Sequence, residues 1–347
     1  MQRCHELLPG VSRTFALLIP ELPDGLRDEV CCAYLICRIA DTVEDVADVA
    51  VETRLQAFDA LAAALSADAR ESHLLRFAEL TAGWSLDADH RRLMEETPIV
   101  LRAFDSFPEA DRRIITDCAL EMIGGMRETI SAGITGSRPV SMAEVGDLER
   151  YCYYVAGVVG RMLTRLYWRY VHGEAAPPPA ALIEQGIEFG LGLQLTNVLK
   201  DHRADTRRGV SYMPLALADT LDVDQEQLLA GDLPPTLRRW LIAHALQWLD
   251  TALAYTLTWP PATTGIRVFC LGALFMALRT LAVVLTADQP LEPTEAPKIT
   301  RQDVAEIMSR ARADAADDKA LRRWYDQERE RLCSLLPRTQ TSDARSS

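Results

Sequence analysis

The chain has little that marks metal, disulfide or nucleotide chemistry. Its eight cysteines form no C-x-x-C pair, and its six histidines are scattered without an H-E-x-x-H. Neither a disulfide framework nor a thiolate or imidazole zinc site is expected. Most of the cysteines sit in apolar stretches, where a free thiol behaves as a small hydrophobe, and reduced thiols fit a cytoplasmic protein. No run is rich in Lys and Arg, and the formal charge is 37 − 50 = −13. That balance opposes binding to nucleic acid or anionic lipid, and an anionic substrate would need cations gathered at its site. No Gly-x-Gly-x-x-Gly follows a strand, no Glu-x-x-His is present, and period-2 alternation is missing. These absences argue against a dinucleotide fold, a di-iron bundle and an open sheet. The opening MQRCHELLPG has no basic stretch followed by an apolar one, so no signal peptide is expected.

What is present is helical periodicity. Apolar residues recur at helix spacing over about 25–48, 51–66, 72–83, 89–104, 109–133, 141–172, 179–204, 224–230, 234–257, 264–287 and 300–334. Pro- and Gly-rich breaks such as PELPDG (20–25), GEAAPPPA (173–180) and WPPATTG (259–265) separate them. None is long enough for an interdomain linker. The expectation is one all-α domain over residues 1–336, with a polar, disordered tail at 337–347 and no transmembrane anchor. The segment IRVFCLGALFMALRTLAVVLTA (266–287) nearly has the length of a membrane span. Arg279 in its second half would cost roughly 2.5–3.5 kcal/mol at mid-bilayer, so a buried helix lining an apolar pocket is expected instead.

Two polar stripes interrupt apolar helix faces. In YLICRIADTVED, Asp41, Glu44 and Asp45 share a face with Tyr34 and Arg38. In LGLQLTNVLKDHRAD, Gln194, Asn197, Asp201 and Asp205 fall at spacings of three and four, downstream of Gly190 and Gly192. Glycine in a helix interior costs roughly 1 kcal/mol against Ala, which implies that something passes close to the backbone there. One acidic cluster is most simply a solvated patch. Two inward stripes far apart in sequence imply a shared ligand, because unpaired buried acids are strongly unfavourable. All the donors are oxygens, which favours Mg²⁺, completed by a substrate phosphate or diphosphate. Arg38, Arg13 and Lys200 are the candidate direct cations for that anion.

Four blocks taken together, SRTFA (12–16), YLICRIADTVED (34–45), YCYYVAGVVG (151–160) and LQLTNVLKDHRAD (193–205), resemble the head-to-head prenyl synthases, the squalene/phytoene synthase family. The likeness covers roughly residues 10–300. It is strongest to the squalene synthase branch, to which FC at 269–270 and PKITR at 297–301 also point. The resemblance implies an isoprenoid-synthase-type helical bundle around a central apolar cavity. It further implies two molecules of farnesyl diphosphate as substrate, with Mg²⁺ (or Mn²⁺) and NADPH as cofactors. By position, Asp41, Glu44, Asp45, Asn197, Asp201 and Asp205 would hold metal, and Tyr151 would serve the first half-reaction beside the aspartates. Ser12, Arg13, Tyr34, Arg38, Gln194, Lys200, Arg208 and Phe269 would bind substrate, and Lys298 and Arg301 would bind the dinucleotide. The expected setting is the cytoplasm, with transient membrane contact to release a lipid product; the oligomeric state is left open, a monomer being compatible with the sequence.

Some positions depart from the family pattern. Ala204 stands where an acid often precedes the final Asp of the second motif. Val210 stands where relatives carry Arg, leaving Arg207 or Arg208 to substitute, and Ala273-Leu274 replaces a common Pro-Gln. Products that end without reduction (dehydrosqualene, phytoene or a hydroxylated squalene) therefore stay open, as does a non-catalytic helical partner that keeps the fold.

Overall fold

The computed structural model describes residues 1–46, 48–66, 70–133, 140–174, 176–286 and 296–336. Its first helix, α1 (Gln2–Val11), departs from expectation. It precedes the stretches expected to be helical; Cys4, Leu7, Leu8 and Val11 are buried, and that packing carries the helix through Pro9. After the short α2 (Phe15–Leu18) and a 3-10 turn at Ile19–Glu21, Gly25 at φ 86° admits α3 (Leu26–Asp45). Asp28 and Glu29 in the first turn of α3 complement its positive end.

Helices α4 (Val51–Ser66) and α5 (Arg70–Thr81) follow as expected. The stretch read as one helix over 89–104 is two, α6 (Ala88–Glu95) and α7 (Thr97–Asp105). Pro98 lies in the first turn of α7, where it has no N–H to give and restricts the residue before it. Helix α8 (Glu109–Ser131) then crosses the molecule. The stretch read as a helix over 141–172 opens with a short strand, β1 (Val140–Met142), before α9 (Val145–Cys152). A single π-helical turn, Tyr153–Gly157, joins α9 to α10 (Val158–His172).

Helix α11 (Ala180–Arg207) has 28 residues, about 42 Å at 1.5 Å per residue. It is followed by β2 (Val210–Pro214), α12 (Leu215–Thr220), α13 (Gln225–Leu229), α14 (Pro235–Thr258) and α15 (Thr264–Thr286). Asp317 caps a restart that divides the expected 300–334 helix into α16 (Arg301–Asp314) and α17 (Asp318–Leu335). The polar tail at 337–347 lies outside the described residues.

Strands β1 and β2 pair in parallel, an exception to the otherwise helical fold. β2 is buried along its whole length, so no alternation announces it. Helix α11 packs between α10 and α14, while α3 packs on α7 and α8. The glycines explain how closely α11 approaches its neighbours. A Cβ on Gly160 would stand 1.9 Å from the Gly186 carbonyl oxygen, and one on Gly190 would stand 2.3 Å from that of Ala156. The object passing near the α11 backbone is thus another stretch of backbone, and near Gly192 it is Leu249 of α14.

Helix α15 is long and apolar enough to cross a membrane, but 83% of its most apolar window is buried inside the protein. Its two arginines are paired with acids inside the protein. Arg267 Nη1 lies 2.6 Å from Asp318 Oδ1, and the same guanidinium donates to the carbonyls of Trp259, Ala315 and Leu257. Arg279 holds Asp303 at 2.6 Å and Glu328 at 2.9 Å. These partners make α15 the wall of a cavity.

Candidate active site

The acid stripes meet. Positions three and four apart stack along one helix face, so α3 presents Arg38, Asp41, Glu44 and Asp45, and α11 presents Gln194, Asn197, Lys200, Asp201 and Asp205. All of these line one cavity of about 730 Å³. Arg208, just past the end of α11, joins the two rows: it lies 2.5 Å from Asp205 Oδ1 and 3.5 Å from Asp45 Oδ1. Arg208 is therefore the one of the two candidate arginines that reaches the site; Arg207 is exposed and outside the lining.

Two of the other candidate cations, Arg38 and Lys200, are held by neighbours. Arg38 Nη1 stands 3.5 Å from Asp41 Oδ2, and Arg38 Nη2 donates to Tyr34 Oη at 3.1 Å. Tyr34 Oη in turn donates to the Val11 carbonyl at 3.3 Å. Lys200 Nζ lies 3.1 Å from Asp201 Oδ2 and 3.1 Å from Asn197 Oδ1. Ser12 is buried and accepts from the Phe15 N–H at 3.0 Å, while Arg13 is exposed; both line the cavity.

The electrostatics of the acid end are unbalanced. Desolvation pushes the Asp41 carboxyl up to about 6, with Arg38 opposing and Asp45 adding to the rise. Asp205 is likewise raised to about 6 by burial, against the pull of Arg208. Glu44 is pushed well above the carboxylate range by burial and by Asp45 and Asp41, and its Oε1 has no hydrogen-bond partner. Asp41 keeps a quarter of its side chain exposed, 25%, but that exposure opens into the cavity, so protein still displaces most bulk water around it. Burial opposes the charge on Arg38 and Arg208, yet the adjacent acids outweigh it and raise both.

This donor set fits a hard divalent cation. Among the described residues, no three His, Cys, Asp or Glu side chains stand close enough to hold an ion by themselves. Oxygen donors on facing helices, with an orphaned carboxyl oxygen among them, suit Mg²⁺, which keeps waters and takes substrate phosphate to complete its shell.

The rest of the cavity is apolar and aromatic. Helix α10 and the π-turn contribute Val155, Ala156, Val159 and Leu163, and α15 contributes Phe269, Cys270 and Ala273. Phe269 lies 6.0 Å from Phe15 and 6.2 Å from Tyr167, centroid to centroid. Tyr151 lines the cavity as expected. Tyr154, three residues on, does not: its ring packs into the space left by Gly125 of α8. The π-turn inserts extra backbone and changes which side chains face inward. Lys298 and Arg301 are exposed and stand outside the cavity lining.

Among the polar lining residues that escaped the sequence reading are Asp87, Asp89, His90 and Tyr212. Asp87, Asp89 and His90 come from the start of α6, with His90 Nδ1 2.7 Å from Asp87 Oδ2. In sequence, Asp87 shows only as a helix cap, which it is. Tyr212 comes from β2 and stacks on Tyr151, centroids 4.3 Å apart at 20°.

A helical bundle enclosing an apolar pocket capped by two facing acid rows defines an isoprenoid-synthase type of fold. The sequence model for squalene/phytoene synthase matches residues 8–303, and the chain belongs to that family. It is 35% identical to the squalene synthase BSS of Botryococcus braunii over 202 residues, covering 58% of this chain and 40% of that one. The chain spans less than two thirds of the length of the curated relatives it matches. Among solved structures, a complex of TcSQS with a ligand superposes with TM-score 0.76 at 24% identity, covering 99% of this chain and 93% of that one. A ligand-bound dehydrosqualene synthase superposes with TM-score 0.60 at 21% identity, covering 90% and 95%.

Proposed function

We propose that the protein is a head-to-head prenyl synthase that joins two molecules of farnesyl diphosphate into presqualene diphosphate and converts it to squalene. The observation that carries this reading is the convergence of two acid rows on one cavity, tied together by Arg208 between Asp45 and Asp205. Mg²⁺, or Mn²⁺, held by Asp41, Glu44, Asp45, Asn197, Asp201 and Asp205, would neutralise a diphosphate and make it a better leaving group.

The chain's own residues do the rest. Arg38, Arg208, Lys200 and Arg13 bind the diphosphate oxygens, with Ser12, Tyr34 and Gln194 orienting them. The lining of α10 and α15 excludes water, so the allylic cation reaches the second prenyl double bond before it is hydrolysed. Holding both chains in register in one cavity supplies much of the rate. Phe269, with Phe15 and Tyr167 near it, offers aromatic faces to the later cations.

A second reading stops at an unreduced product such as dehydrosqualene. It is favoured by Lys298 and Arg301, the residues proposed for NADPH, which lie outside the cavity lining. Purified protein incubated with farnesyl diphosphate and Mg²⁺, with and without NADPH, separates the readings. Squalene only when NADPH is present supports the first, and the same unreduced lipid in both supports the second. Absence of any condensed lipid overturns both in favour of a non-catalytic partner. The proposed setting is the cytoplasm, with transient membrane contact for product release.

A further inference from the structure

We propose that His90, held by Asp87, is a further substrate-binding residue, whose free ring nitrogen donates to the diphosphate bound against the α3 acid row. This rests on the anionic substrate proposed above and adds to it a contact from a third element, α6, outside both acid motifs. Asp87 caps α6 by accepting from the Asp89 and His90 N–H groups, both at 3.0 Å. A side chain three residues past a cap can reach back to it. His90 does so, with Nδ1 2.7 Å from Asp87 Oδ2. That bond fixes the ring: Nδ1 carries the proton that Asp87 accepts, and Nε2 is left without a partner among the described residues.

An Asp–His pair at a helix start is most simply a surface cap, and Asp87 is exposed. His90 is placed otherwise. It is only partly exposed and lines the same cavity as Asp41 and Arg38. The start of α6 is pressed onto the segment that carries Ser12 and Arg13. A Cβ on Gly10 would stand 2.8 Å from Asp89 Cγ, and Gly10 leads through Val11 into those two residues. An imidazolium at His90, like the Arg38 guanidinium, favours the ionised form of Asp41. His90 therefore acts on the first acid row from an element that carries none of the other candidate cations. A diphosphate held there presents several charged oxygens. The Asp87 carboxylate stabilises an imidazolium, and its Nε2–H makes a charge-assisted hydrogen bond to one of them.

Calorimetric titration of the whole protein with inorganic pyrophosphate, Mg²⁺ present, tests this contact apart from turnover. His90→Ala should weaken pyrophosphate binding by about tenfold, the scale of one lost hydrogen bond to a charged group. It should raise KM for farnesyl diphosphate by a similar factor, with a smaller change in kcat. His90→Gln carries an N–H donor and should recover most of the loss. Asp87→Ser keeps a helix cap but releases the ring, and should fall between His90→Ala and wild type. A purely packing role predicts instead that His90→Ala lowers the thermal midpoint while pyrophosphate affinity and KM stay those of wild type; that outcome overturns the assignment and leaves the condensation standing. A wild-type protein that binds pyrophosphate tenfold more tightly than His90→Ala yet condenses nothing from farnesyl diphosphate overturns the condensation and upholds the assignment.

Discussion

Helix α15 and the α3/α11 pair line the same cavity, and they treat buried charge in opposite ways. On α15, Arg267 and Arg279 are held by Asp318, Asp303, Glu328 and backbone carbonyls. On α3 and α11, Glu44 has an oxygen without a partner, and Asp41 and Asp205 are pushed up to about 6. Charges that serve architecture are neutralised by opposite charges within the chain, even where one nitrogen, Arg279 Nε, has no hydrogen-bond partner. Charges that await a ligand are left short of partners, at a cost to the free protein that the ligand offsets. The contrast separates a wall from a site, although both are polar interruptions of apolar helices.

Substitutions at the two ends should therefore fail differently. The largest effect is expected for Asp41→Ala or Asp201→Ala, which should lower condensation by about 10³-fold or more, the scale of lost electrostatic stabilisation. Far-UV circular dichroism should remain that of wild type. Normal turnover in either purified variant would break the assignment of these rows to chemistry. At the other end, Arg267→Ala leaves Asp318 and several carbonyls without their donor and should destabilise by about 3–5 kcal/mol, read from denaturant unfolding.

A smaller loss, about 1–3 kcal/mol, is expected for Gly160→Ala, which pushes α10 off α11 and so spreads the cavity wall. Its thermal midpoint should fall, and an unchanged midpoint would mean that the helix crossing is looser than 1.9 Å implies.

The smallest effect has the opposite sign. Burial raises Asp41 from 3.8 to about 6, so between those values the folded protein binds a proton that the unfolded chain releases. Stability is then fully present below about pH 4 and declines as pH rises towards 6. Asp41→Asn removes that penalty. In metal-free protein at pH 7.5 it should gain about 1–2 kcal/mol, less than the roughly 3 kcal/mol that the full shift allows, because cavity water screens the charge. The gain should vanish near pH 4. A loss of stability at pH 7.5 would place Asp41 among the architectural charges.

Much of the site was legible because it is local. Asp41, Glu44 and Asp45 share a face by helix geometry alone, and so do Asn197, Asp201 and Asp205. The burial of α15 could be anticipated because Arg279 makes a poor mid-bilayer residue. The rest was not legible, because distant packing overrides local signals there. Buried leucines keep α1 helical through Pro9, and the π-turn directs Tyr154 to Gly125 rather than to the cavity. Asp87, His90 and Tyr212 carry no periodic signature, since their place depends on α6 and β2 docking against other elements.

The amino-acid sequence by itself determined the helical class, the long helices α3 and α11, the chemistry of their donors and which face carries them, since these depend on neighbours within one or two turns. Only the tertiary structure decided that the two rows face one another, that Arg208 rather than Arg207 spans them, and that Tyr212 lies on Tyr151. Those contacts join residues far apart in the chain, and they are set by the close crossing of α10 with α11 and by the two short strands, for which no local pattern exists.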